Sequence, residues 1–294
     1  MNLLLLGADG QLGARLRVAL APLGPVTACG SACDIANPHA IEKVMERGPF
    51  DAIVNAAAYT AVDRAQTERE RAFAVNAKAC SALADAAREQ GAWLVHYSTD
   101  YVFDGSGTRA WREDDTPAPL NVYGASKLAG EQAIQAGCER HIILRTSWVY
   151  EAGRDNFIAS ILKAACTRDA MTVVDDQWGT PTRADLIARA TAHVLRHLED
   201  RSAGLYHFAA VGSTTRLELA RFALEHARAL GWPLRVQAGD LRAARTSDMP
   251  SAAQRPLNSR LDCARFDAAF AFRRPDWQED VVAALRDWPA PPAP

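Results

Sequence analysis

Tyr123 and Lys127 lie four residues apart in Tyr123-Gly-Ala-Ser-Lys127, and a helix predicted over 122–136 puts them one turn apart on one face. A free phenol, with a pKa of about 10, exchanges protons poorly at neutral pH. An ammonium one turn away stabilises the phenolate and lowers that value, so such a pair can pass a proton to a reacting oxygen. Tyr123 is the one tyrosine of six with a lysine four residues on, and Lys127 is one of only four lysines. Ser98-Thr99-Asp100 ends an apolar run, where a hydroxyl can hold a carbonyl oxygen beside the phenol. Far upstream, Gly7-Ala-Asp-Gly10-Gln-Leu-Gly13 follows an apolar run and opens a helical pattern. Glycines there let the backbone approach a pyrophosphate, and a helix N-terminus favours its charge. Lys127 is also placed to hydrogen-bond a nicotinamide ribose. The combination implies hydride transfer from a dinucleotide to a carbonyl.

The elements that must position these groups alternate. Strands are predicted at 3–6, 26–29, 51–55, 92–98 and 141–146, with helices at 11–20, 38–46, 68–90 and 122–136 between them. That rhythm predicts an α/β fold, a Rossmann-type doubly wound parallel sheet whose strand C-termini share one edge. Residues 104–121 form a long polar loop. A sixth strand at 170–175 and helices at 184–198, 216–230 and 276–287 follow, and the proline-rich 289–294 is expected to fray. The chain thus divides into a dinucleotide domain, 1–147 with 171–200 returning to it, and a smaller, mainly C-terminal α/β substrate lobe, 148–170 and 201–294.

The 294 residues are 49% hydrophobic, enough for a large core, and carry a net charge of −2, with no basic run to suggest nucleic acid. No apolar stretch approaches the roughly 20 residues of a membrane helix, and the leucines after Met1 reach Gly7 too soon for a signal peptide. The six cysteines form no CxxC pair, which suits reduced thiols in a cytoplasmic protein. His193 and His197 are spaced i,i+4 without an HExxH pattern, so a solvated helix face is expected there and no metal. Trp93, Trp232 and Trp277 are expected to pack in the core. At the tip of the second strand, Cys29-Gly30-Ser31 contains neither an acid to hold a ribose diol nor an arginine to hold a 2′-phosphate. The expectation is that NADPH is accepted and NADH is not excluded.

These residues resemble the extended short-chain dehydrogenases/reductases and, among them, the dTDP-4-dehydrorhamnose reductase family. The resemblance runs from Gly7 to about Leu261, through Asn55-Ala-Ala-Ala-Tyr-Thr-Ala-Val-Asp63, Ser98-Thr-Asp-Tyr-Val-Phe103 and Tyr123-Gly-Ala-Ser-Lys-Leu-Ala-Gly-Glu131. It continues in Leu144-Arg-Thr-Ser-Trp-Val-Tyr150, Asp176-Gln-Trp-Gly-Thr-Pro-Thr182 and Arg255-Pro-Leu-Asn-Ser-Arg-Leu261. The last three, in this order, narrow the match beyond the superfamily. The resemblance implies that Gly7, Gly10, Gln11 and Leu12 hold the pyrophosphate, and that Asp34 and Ile35 flank the adenine. It places Ala58, Tyr59 and Thr60 along the cofactor, Thr60 also near the sugar. Thr99, Tyr123 and Lys127 would be the catalytic trio, with Asp100, Tyr101 and Trp148 on the deoxysugar nucleotide. Asn156 and the loop 255–259 would help to position the substrate.

The activity implied is reduction of the C4 ketone of dTDP-6-deoxy-L-lyxo-4-hexulose to dTDP-L-rhamnose by NADPH or NADH, the last step of dTDP-L-rhamnose synthesis, which feeds lipopolysaccharide or O-antigen. The alternatives are a related reductase giving dTDP-6-deoxy-L-talose, or a non-catalytic dinucleotide-binding regulatory subunit like that of methionine adenosyltransferase. Some members form homodimers bridged by Mg2+ on glutamates. Here Arg15 stands at the first of those positions, with Asp185 and Glu279 at the others, so a homodimer remains open and its metal bridge is doubtful.

Overall fold

Four consecutive leucines, Leu3–Leu6, form β1, and all four are fully buried, as a strand covered on both faces requires. The computed structural model describes residues 1–288, so the expected fraying of 289–294 lies outside the described residues. After β1 come α1 (Gln11–Leu20), β2 (Val26–Cys29), α2 (Pro38–Met45) and β3 (Ala52–Asn55). Next are α3 (Val62–Ala65), α4 (Arg69–Phe73), α5 (Ala79–Gln90), β4 (Trp93–Thr99), α6 (Val122–Gly137) and β5 (His141–Thr146). The second half runs β6 (Val149–Tyr150), α7 (Phe157–Ala165), β7 (Met171–Val174), β8 (Trp178–Gly179), β9 (Thr182–Arg183), α8 (Ala184–Arg196) and β10 (Gly204–His207). It ends with β11 (Thr214–Thr215), α9 (Arg216–Ala229), β12 (Leu241–Ala244), α10 (Ala264–Phe270) and α11 (Trp277–Arg286). None of the described helices is long and apolar enough to cross a membrane.

The central sheet is parallel and six-stranded, in the order β2-β1-β3-β4-β5-β10. The order reverses between β1 and β3, and in open α/β sheets a crevice for ligands opens at the strand C-termini there. The sixth strand is β10, paired with β5, where the sequence suggested 170–175. The strand in that stretch, β7, pairs instead with β12 in a small parallel sheet, beside two other two-stranded sheets, β6-β9 and β8-β11. The stretch 201–294 therefore gives a strand to the central sheet, while the helix expected at 184–198 packs as α8 against α1. The reason is long-range: Gly-Leu-Tyr-His has little strand signature of its own, and pairing along Ile142–Arg145 decides its place.

The predicted helix over 68–90 is interrupted by a π-helical turn, Ala74–Lys78. The extra residue aims buried Asn76 at neighbouring elements. Its Oδ1 accepts from Tyr59 N at 2.9 Å, and its Nδ2 donates to Tyr59 O at 3.1 Å and to Ser126 Oγ on α6 at 2.9 Å. Such turns occur often at functional sites. The loop 104–121 is pinned: Trp111 stacks on Phe103 at 4.5 Å, Trp111 Nε1 donates to Asn258 O, and Asn258 Nδ2 donates to Arg109 O. Trp93, Trp232 and Trp277 are buried in the main core, as expected. His193 and His197 bond backbone carbonyls, of Phe270 and of His193 respectively.

Candidate active site

Asn121 caps α6, its Oδ1 accepting from Gly124 N at 2.8 Å. The cap fixes where the helix begins and so the direction in which Tyr123 leaves it. Gly124 has no room for a side chain, since a Cβ would run into Tyr101 O, so the start of α6 lies directly on the turn after β4. That turn carries Thr99, Asp100 and Tyr101. The Tyr101 and Tyr123 rings meet edge to face, 5.7 Å apart. Burial pushes the Tyr123 phenol above its ordinary value, and the nearby Thr99 hydroxyl acts against that rise. Asp100 is buried, accepts from Thr99 Oγ1 at 3.1 Å, and is pushed up to about 6 by desolvation.

Lys127 faces a neighbour that the sequence did not suggest. It is buried on the same helix face, yet its Nζ lies 3.0 Å from His96 Nε2 on β4, and its charge does not contribute to the Tyr123 shift. The ring nitrogens of His96 can be read against their neighbours. Asn55 Oδ1 accepts from Ala57 N, so the amide Nδ2, 3.2 Å from His96 Nδ1, is the donor to that nitrogen. The Lys127 ammonium can only donate, so both ring nitrogens face donors in this arrangement. Burial holds Lys127 below its ordinary value, with Cys80 and Glu131 acting in the opposite direction, and keeps His96 neutral. Neither His96 nor Asn76 belongs to a motif that pointed to chemistry.

At the switch point, Gly7 takes φ +73°, and a Cβ there would sit 2.5 Å from Ala57 N. A Cβ on Gly13 would run into Gly7 O, and Gly10 is the N-cap of α1. The turn is thus a backbone surface closed to side chains at a helix N-terminus, and it fits a dinucleotide pyrophosphate. Gly7, Gly10, Asp34, Ile35, Ala58 and Tyr59 line one cavity. Gln11 lines a second cavity with Trp148 and Asn156, its Oε1 accepting from Asn156 Nδ2 at 3.4 Å. Leu12 packs against the main core, and Thr60 is exposed. Ile35 is 4% exposed and also belongs to the core. Asp34 is engaged: both its oxygens lie 2.8 Å from Arg71 Nη2, which holds its carboxyl below the usual range. An arginine therefore does reach the adenosine end, from α4 rather than from the strand tip. An acid reaches it too, since Asp9 Oδ2 accepts from Ser31 N at 2.8 Å. Tips read along one strand miss both, because each arrives from another element.

Trp148 bounds the other side. Its backbone takes φ +46°, unusual for a bulky residue. A Cβ on Gly179 would run into its indole, so that glycine makes the room. The Arg216 guanidinium covers the indole at 3.7 Å and forms no ion pair among the described residues. Burial lowers it to about 10, opposed by Tyr101 and Asp100. Nothing in the sequence singled Arg216 out. Asn156 caps α7, with Oδ1 accepting from Ala159 N. Arg255 Nη2 donates to Asp63 at 2.6 Å, joining two of the recognised segments.

Arg15 Nη2 donates to buried Glu151 at 3.0 Å, and Asp185 accepts from Arg189 at 2.9 Å. No group of three His, Cys, Asp or Glu among the described residues could hold a metal.

The family described as RmlD substrate binding domain matches residues 1–289. The dTDP-4-dehydrorhamnose reductase of Escherichia coli K12 is 46% identical, over 98% of each chain, and that of Burkholderia thailandensis is 37% identical, over 98% of this chain and 99% of its own. The dTDP-4-dehydrorhamnose reductase of Bacillus anthracis, solved in complex with NADP, superposes with a TM-score of 0.90 at 30% identity, covering 98% of this chain and 100% of its own.

Proposed function

The chain belongs to the dTDP-4-dehydrorhamnose reductase family of Rossmann-type NAD(P)-dependent oxidoreductases, and on that premise we propose that it reduces the C4 ketone of dTDP-6-deoxy-L-lyxo-4-hexulose to dTDP-L-rhamnose. NADH or NADPH, when bound, supplies the hydride, from nicotinamide C4 to sugar C4. Tyr123 donates the proton to the nascent alkoxide. Thr99 holds the ketone oxygen, and the observation that carries the reading is that the start of α6, with Tyr123, lies directly on the turn that carries Thr99. Lys127 orients the nicotinamide ribose and, turned from His96 toward it, brings its charge to the phenol. Gly7, Gly10, Gln11 and Leu12 receive the pyrophosphate, and Ala58, Tyr59 and Thr60 follow the cofactor toward the sugar. Asp100, Tyr101 and Trp148 form the sugar wall, with Arg216 presenting a cation to the nucleotide's phosphates. The enzyme would work in the cytoplasm.

Reduction needs the tyrosine, the hydroxyl and the hydride donor in register, and proximity of that kind contributes about 7–11 kcal/mol. The decisive assay adds the 4-keto sugar nucleotide to enzyme and NAD(P)H and follows nicotinamide absorbance, with NMR of the product. Loss of absorbance with L-rhamnose configuration at C4 supports the reading. The L-talo product would assign the other ketoreductase, and no turnover with either cofactor would leave a binding subunit.

A further inference from the structure

The corner between β2 and the glycine turn holds a carboxylate. Asp9 is exposed in the turn between Gly7 and Gly10, and its Oδ2 accepts from Ser31 N at 2.8 Å and from Ser31 Oγ at 3.2 Å. Gly30, just past β2, lies directly against it, and any Cβ there would run into the carboxylate. The strand tip lacks an acid of its own and is shaped to receive one from the neighbouring turn. Asp9 Oδ1 bonds nothing among the described residues, and Asp9 lines the cavity that Gly10, Asp34 and Ala58 also line. The other charges described on that cavity wall cancel, since Arg71 is bound to both oxygens of Asp34. Asp9 is thus the unpaired anion of the adenosine end among the described residues.

The geometry points to Asp9 as the residue that selects the cofactor: its carboxylate accepts the hydroxyls of an unphosphorylated adenosine ribose and repels a 2′-phosphate, so the chain takes NADH in preference to NADPH. An acid at this corner does what one at the end of the second strand does in diol-selective sites, though it comes from a different stretch of chain. This rests on the turn's binding a dinucleotide and is independent of which sugar is reduced. The Asp34–Arg71 pair sharpens the choice, because a 2′-phosphate must compete with Asp34 for the guanidinium.

The test is direct binding to the full chain without sugar. Kd for NADH and for NADPH is measured by calorimetry in the wild type, Asp9→Asn and Asp9→Ser, with melting temperatures to confirm folding. The wild type is expected to bind NADH at least about tenfold more tightly, about 1.4 kcal/mol. That ratio should shrink as salt is raised, as charge repulsion requires and a steric clash does not. Asp9→Asn retains an oxygen for the Ser31 donors and should bring the ratio close to one, as should Asp9→Ser. Equal or tighter NADPH binding in the wild type, or a ratio that neither variant moves, overturns the assignment while the dinucleotide reading stands. Failure of both cofactors to bind overturns the two together.

Discussion

Glu131 and Arg145 form an ion pair behind the active site, and cutting it on one side only should destabilise the enzyme severely. Arg145 Nε and Nη2 donate to the two Glu131 oxygens at 2.9 and 2.6 Å, and the side chains are 4% and 1% exposed. The guanidinium lies 5.0 Å from the centre of the Phe103 ring, and its Nη1 already lacks a partner. Glu131→Ala removes both remaining bonds and leaves a cation that water cannot reach. Stranding one member of such a pair costs about 3–5 kcal/mol. At roughly 2–4 °C per kcal/mol for a chain somewhat shorter than this one, Tm should fall by roughly 6–20 °C. Urea unfolding at neutral pH, followed by tryptophan fluorescence, measures the difference. Glu131→Leu with Arg145→Met should recover most of the loss, because it removes both charges and keeps the volume. A loss below about 1 kcal/mol for Glu131→Ala, on the scale of an exposed pair, would refute the argument. So would a double variant less stable than the single one.

Tyr123→Phe should lower kcat by about 10²–10⁴, the usual contribution of a general acid, with the Kd for the cofactor unchanged; unaltered turnover would remove the tyrosine from the mechanism. Asp100, pushed up to about 6 from 3.8, binds its proton more tightly folded than unfolded. Its ionisation therefore costs stability as pH rises from about 4 through about 6, by an order of 3 kcal/mol above that window. Asp100→Asn should match the wild type in Tm near pH 4 and exceed it near pH 8, and equal Tm values at both would contradict the burial argument. A chelator should change neither activity nor size in light scattering, since Arg15 is bound to Glu151 where a bridging cation would need acids. Chelator-induced loss of a dimer would show that reasoning wrong.

The first five strands and α6 were legible because each strand is a short apolar run and α6 is a helix with a marked start and stop, local signals in the chain. Gly7, Tyr123 and Thr99 could be read with them, since the glycine spacing and the YxxxK pattern are local. What was not legible depends on contacts between distant segments. The place of β10 is set by β5, and the π-helical turn that aims Asn76 leaves the apolar spacing of 68–90 looking like one helix. The parts of Asp9 and Arg71 went unread for the same reason: the strand tip they serve is three-dimensional, and neither lies on that strand. The pair Lys127–His96 could not be foreseen, because which neighbour a buried lysine faces follows from the packing of β4 against α6.

The chain leaves the central sheet after β5, builds β6, α7 and β7, returns for α8 and β10, and leaves again for β11 through α11. Genetic exchange meets an obstacle in that path. A single recombination breakpoint cannot trade the stretches on both sides of 184–207 for a relative's without also carrying α8 and β10 along. Chimeras that exchange both stretches and keep α8 and β10 need three coordinated crossovers, one before β6 and one on each side of 184–207. The segments outside the central sheet are therefore not one contiguous cassette that a single exchange can move.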